Sequence, residues 1–165
     1  MVIKLSANEF LENFVQELVK NEWDAEEIKC NINVEGTKFD LFAAKKSVQY
    51  WRAYVMTSPQ FIDEPTFQEY IKIYDVLRDK AQSWAMGDVS ILCIVAESGV
   101  SPDITPKVGD YSLGFFQMKS GGCMLCIVDL AKRATYMRTP GLPLPVRRIS
   151  RGFVDIVKRT LAKLK

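Results

Sequence analysis

The sequence predicts an α+β fold: an antiparallel or mixed sheet of about six strands with three helices, in the order α-βββ-α-βββ-α. Two observations carry this. Three stretches, led by Phe10, Phe67 and Phe153, place apolar residues at helical spacing near the start, middle and end of the chain. Between them, apolar residues alternate or run together in short segments punctuated by Gly and Pro, as strands do. Strands and helices come in runs, which argues against a doubly wound sheet.

The first helix opens at Ser6, three residues before Glu9, the spacing of a capping box. Phe10, Leu11, Phe14, Val15, Leu18 and Val19 then form its apolar stripe, and it ends near Asn21. Residues 27–34 alternate, with Ile28, Cys30, Ile32 and Val34 on one face, and Glu35-Gly36-Thr37 turns them into a partner strand over 38–44. A third strand over 48–56 carries Tyr50, Trp51, Tyr54 and Val55, side chains that suit a pleated sheet.

The second helix spans about 66–85, capped by Asp63 or Thr66, with Phe67, Tyr70, Ile71, Tyr74, Leu77, Ala81 and Trp84 on one side. Strands are expected over 89–96, 112–119 and 123–130, with a Pro-containing loop at 97–111 and a further pairing segment at 135–137. Pro140, Pro143 and Pro145 predict an extended connector, and Ser150 a cap for a last helix over 151–164. No internal repeat is present, and the chain reads as one domain of 165 residues, long enough to bury a core without staples.

Charge is divided unevenly along that domain. Residues 131–165 hold ten Lys and Arg against the single acid Asp155, a net of +9, whereas 1–130 carry 12 bases and 19 acids, a net of −7. Such asymmetry bears on partners rather than on fold. The last helix places Phe153, Ile156, Val157, Leu161 and Leu164 on one arc and its cations on the other. The expected anion-binding residues are Lys132, Arg133, Arg138, Arg147, Arg148, Arg151, Lys158, Arg159 and Lys163. Nucleic acid is the first expected partner; an anionic membrane surface or the acidic body of a second copy of the chain would meet the same charge. A solvated outer helix face is the plain alternative.

Histidine is absent, which removes Ser-His-Asp and Cys-His nucleophile systems in their usual forms and His-containing metal sites. No Walker A or GxGxxG pattern is present, so no cofactor is expected. Cys123-Met-Leu-Cys126 is the one CxxC; on a strand its two thiols face opposite ways, and with Cys30 and Cys93 isolated the four read as structural thiols. Tyr50, Trp51, Arg52 and Tyr54 likewise alternate faces and read as core packing. No apolar run is long enough to cross a bilayer and no secretion signal is evident, so an intracellular, cytoplasmic location is the default expectation.

One stretch is enzyme-like. Gly99-Val-Ser-Pro102-Asp103-Ile104 followed by Phe115-Phe116-Gln117-Met118-Lys119 resembles the PD-(D/E)xK nuclease motif in its Holliday-junction resolvase style. The resemblance implies Asp103 as a Mg²⁺ ligand, Gln117 in the place of the family's acid, Lys119 as the lysine assisting the attacking water, and Glu69 as a further carboxylate. Gln117 is a neutral amide, a poorer ligand for a hard cation. The leading expectation is therefore a small non-enzymatic binding or assembly protein whose basic C-terminal segment engages an anionic partner. A self-associating or matrix-like scaffold, a protein-binding module and a metal-dependent nuclease stand as the alternatives.

Overall fold

The computed structural model describes residues 5–47, 50–82, 88–111, 122–138 and 144–164. Helices α1 (Ala7–Lys20), α2 (Glu64–Gln82) and α3 (Leu144–Lys163) flank a sheet of β1 (Lys29–Val34), β2 (Thr37–Lys46), β3 (Tyr50–Ser58), β4 (Val89–Ala96), β5 (Gly122–Asp129) and β6 (Ala134–Tyr136). Short 3-10 segments lie at Ala25–Glu27 and Thr105–Tyr111. The strands neighbour one another in chain order; β3–β4 and β4–β5 are parallel, and the other three pairs antiparallel. This is the mixed-sheet α+β fold that the sequence predicts. The expected strand over 112–119 falls outside the described residues, and the sixth strand comes from β6.

Two apolar layers explain why β4 and β5 are buried along their whole length. On one face, Phe10, Phe14 and Leu18 of α1 and Phe153, Val157 and Leu161 of α3 cover Val55, Ile91, Val95 and Val128. On the other, Phe67, Ile71, Tyr74 and Leu77 of α2, with Ile104 and Val108, cover Leu92, Ile94, Leu125 and Ile127. The crossovers of the parallel strands cover one face, and α1 and α3, from the two ends of the chain, cover the other. The described parts of both crossovers, α2 between β3 and β4 and the 3-10 segment between β4 and β5, pack on the same face.

The local signals resolve in physical terms. Ser6 accepts from the Glu9 amide, and Asp63, rather than Thr66, accepts from the Thr66 amide at the start of α2. Tyr74 donates its hydroxyl to the Cys123 carbonyl at 2.7 Å and pins α2 to β5. Trp51 and Tyr54 lie in opposite core layers, while Arg52 stacks over Tyr50 at 4.1 Å and pairs with Asp88. The expected single face on β1 is interrupted: Ile28 packs with the α1–α3 layer, Ile32 and Val34 with the α2 layer, and Cys30 is exposed. Between them Asn31 sits at φ 53°, a left-handed position that Asn tolerates and that turns the strand.

The largest departure is at the C-terminus. The connector expected through Pro145 is already helix, since α3 begins at Leu144. A proline in the first turn removes an N–H that would have no partner there anyway. Ser150 is therefore internal rather than capping, and its hydroxyl donates to the Arg147 carbonyl. Pro140 and Pro143 fall outside the described residues.

Candidate anion-binding surface

Helix α3 has one side in the core and one side in solvent. Val146, Phe153, Ile156, Val157, Leu161 and Leu164 are buried against the sheet and α1. Phe153 meets Phe14 edge-on at 5.6 Å and Trp23 at 5.8 Å, so the helix is fixed in place. At 3.6 residues per turn the exposed Arg148, Arg151, Asp155, Lys158, Arg159 and Lys163 occupy an arc of about 140° on the other side. Asp155 stands at the middle of that arc, four residues from Arg151 and Arg159 and three from Lys158.

The expected cations divide by what they touch. Among the described residues, Arg148, Arg151 and Lys158 are exposed and make no ion pair or side-chain hydrogen bond, and half-buried Arg147 also lacks one. Arg159 and Lys163 instead tie α3 to α1. Lys163 pairs with Glu17, and Arg159 donates to Asn21 Oδ1 at 3.0 Å. Arg133, in the β5–β6 turn at φ 52°, donates to the carbonyls of Leu161 at 3.2 Å and Leu164 at 2.8 Å. It thus closes the last turn of α3, where carbonyls have no partner inside the helix. Lys132 is exposed beside it. Arg138 lies elsewhere, its stem against Gly109 of the 3-10 segment on the α2 side.

A groove of about 330 Å³ runs along the flank of α3 that faces the end of α1. Trp23, Phe153 and Ile156 form its floor, and Lys45, Arg148 and Arg159 stand at its rim with Glu22 and Asp155. Asn21 organises it: its backbone carbonyl accepts from Lys45 Nζ at 2.9 Å and its side-chain oxygen accepts from Arg159. Its own amide donates to the Glu17 carbonyl at 2.7 Å and fixes the side chain. Gly152 also lines the groove, and a Cβ placed there would meet nothing within 4 Å. No reading of the cationic segment alone reaches Lys45 and Asn21, which are distant in sequence. The available signal was Gly152, a glycine inside a predicted helix.

No family model, curated protein or solved structure matches the chain. The chemistry of the surface therefore carries the functional reading.

For the nuclease-like stretch, Gln117 and Lys119 fall outside the described residues. Asp103 is exposed in the turn before the 3-10 segment, its amide donating to Ser101 Oγ, and Glu69 pairs with Lys72 on the outer face of α2. Among the described residues no three His, Cys, Asp or Glu are grouped to hold a metal ion. Cys123 and Cys126 face opposite core layers, whereas Cys93 and Cys126 stand side by side in register on adjacent strands. Among the described residues no helix is long and apolar enough to cross a membrane.

Proposed function

We propose that this protein is a non-enzymatic anion-binding module that docks a nucleic-acid backbone on the outer face of α3. The supporting observation is the set Arg148, Arg151 and Lys158: exposed cations without partners on a helix whose opposite side is locked into the core. They extend over about 15 Å at 1.5 Å per residue. Arg offers a planar fork suited to phosphate oxygens, and a helix held rigidly loses little freedom on binding. The contacts are of the backbone-positioning kind and imply weak sequence preference.

Docking of this tail on the acidic body of a second copy is less well supported. The carboxylates on the outside of α2 already have partners: Glu64 with Lys107, Glu69 with Lys72, and Asp75 and Asp79 with Arg78.

The test is fluorescence anisotropy of labelled mixed-sequence single- and double-stranded oligonucleotides at several salt concentrations. Removing α3 is unsuitable because it would uncover the core. In Arg148→Gln/Arg151→Gln/Lys158→Gln the dependence of log affinity on log salt should fall by about 2 to 3, as displaced counterions predict. Asp155→Asn removes the one acid from the stripe and should tighten binding by up to about fivefold, equivalent to about 1 kcal/mol for a surface charge. A damaged fold would not produce that gain. Absence of salt-sensitive binding by the unaltered chain sinks the reading.

A further inference from the structure

We infer that the groove between α3 and the end of α1 is a binding site for a phosphomonoester dianion, with Lys45 and Arg159 as the residues that take its oxygens. Its two principal residues, Lys45 and Arg159, are not among the three partnerless cations Arg148, Arg151 and Lys158, and the site goes beyond that reading. Asn21 holds both cations at once, Lys45 Nζ at 2.9 Å and Arg159 Nη1 at 3.0 Å, so the two positive charges are kept within one residue's reach. Asn21 is a neutral amide and cancels neither charge. Glu22 and Asp155 line the groove but form no ion pair with these cations; Glu17 feels the Arg159 charge but is itself paired with Lys163 and Lys20. Two neighbouring cations repel unless a counterion joins them, and a monoester carrying close to two negative charges matches the pair better than a singly charged diester. The ammonium keeps two of its three donors and the guanidinium four of its five, already positioned.

Gly152 is the second observation. It lies inside α3, away from either end, with no left-handed φ and nothing within 4 Å of where a Cβ would stand. Glycine at such a place costs a helix roughly 0.5–1 kcal/mol relative to alanine. Neither backbone conformation nor packing calls for it; the groove does, since any side chain there enters the space between Arg148 and Arg159. The volume of about 330 Å³ falls at the small end of ligand pockets, and the Trp23–Phe153–Ile156 floor gives it an apolar side for the body of a small ester. The monoester can belong to a strand's terminal phosphate or to a free mononucleotide.

Calorimetric titration of the full chain with adenosine monophosphate, inorganic phosphate and adenosine tests the site. Adenosine monophosphate should bind, phosphate should compete, and adenosine should not bind. Gly152→Leu should weaken the monophosphate by about tenfold or more while melting no lower than the parent, because leucine is the better helix former. Lys45→Gln and Arg159→Gln should each weaken it too. A second arm compares oligonucleotides with and without a terminal phosphate. A preference for the phosphorylated end that disappears in Gly152→Leu supports the site with a strand end as source; monophosphate binding without that preference supports it with a free nucleotide as source. Adenosine binding as tightly as its monophosphate, no binding of any phosphate probe, or indifference to Gly152→Leu overturns the inference. Because Arg148, Arg151 and Lys158 are unaltered in Gly152→Leu, salt-sensitive oligonucleotide binding can survive that failure, and monophosphate binding can survive the loss of oligonucleotide binding.

Discussion

Lys163 pairs with Glu17 across the seam between α3 and α1, so one of the most C-terminal cations is joined to a largely hidden acid near the other end of the chain. The hydrogen bond from Lys163 holds the Glu17 carboxyl below its usual range, against the opposing effect of burial, and raises the Lys163 ammonium. A carboxyl whose folded pKa is depressed adds stability that is present above its unfolded value and lost as pH falls through the folded one. Urea unfolding measured from about pH 7 down to about pH 3 should therefore show stability falling on the acid side. Glu17→Gln should flatten that fall and lower stability near neutrality. An unchanged acid limb in Glu17→Gln would show that other carboxylates carry it. With no histidine in the chain, no imidazole contributes a change around neutral pH.

Arg133 is structural where the charge pattern makes it a binding residue. Its guanidinium serves two carbonyls at the end of α3, and hydrogen bonds to a charged donor typically contribute about 1.5–3 kcal/mol when broken one-sidedly. Arg133→Ala should thus melt several degrees lower, at about 2–4 °C per kcal/mol for a chain of this length. Oligonucleotide affinity of the folded variant should be close to the parent's. The reverse pattern, an unchanged melting temperature with lost affinity, would return Arg133 to the binding surface.

These two residues show what the sequence could and could not convey. Helical spacing of Phe10, Phe67 and Phe153 and alternation in the strands follow from local geometry, so the elements and the mixed-sheet class were legible. Net charge and its division along the chain were legible too, but not which cations are paired in space. Lys163, Arg159 and Arg133 are identical in kind to Arg151 in any charge count; only the packing of α3 beside α1 and the β5–β6 turn decides which cations find partners. The start of α3 was missed because proline signals an extended connector and a tolerated first-turn residue equally well. The groove joins Asn21, Lys45 and Arg159 from three elements, a juxtaposition set by tertiary packing alone.

Asp129 is fully buried at the end of β5, and its two oxygens accept from the backbone amides of Val100 at 3.3 Å and Lys132 at 3.0 Å. It therefore holds together the segment after β4 and the turn after β5. Asp129→Ala would leave buried donors without acceptors, and a loss of about 2–4 kcal/mol is expected by chemical denaturation. Gly99, next to Val100, has φ 93°, and a Cβ there would come within 3.4 Å of Ala131 Cβ and 3.6 Å of the Asp129 carboxylate. Gly99→Ala should destabilise by more than about 1 kcal/mol. Gly36→Ala is the comparison: its φ is 82° and its surroundings are open, and because the contacts at Gly99 are of ordinary van der Waals length, both changes act through the backbone and should cost similar amounts. A much larger loss at Gly99 would show that the segment beside Asp129 has no room for a methyl group.

The four cysteines should separate into one reactive thiol and three silent ones. Cys30 is exposed on β1, whereas Cys93, Cys123 and Cys126 are buried in the sheet. Hydrogen bonding with Cys126, and then burial, push the Cys93 thiol well above its ordinary range, and burial above all pushes Cys123 up strongly. Reaction requires the thiolate and access to it: burial denies access to all three, and Cys93 and Cys123 are also held in the thiol form. A chromogenic disulfide reagent should therefore titrate one thiol in the native chain and four in denaturant, with Cys30→Ser leaving none that reacts quickly. A second native thiol reacting at the rate of Cys30 would mean that a helix layer opens over the sheet. Zinc should not protect the native count, since Cys123 and Cys126 face opposite layers and cannot close on one ion without breaking β5.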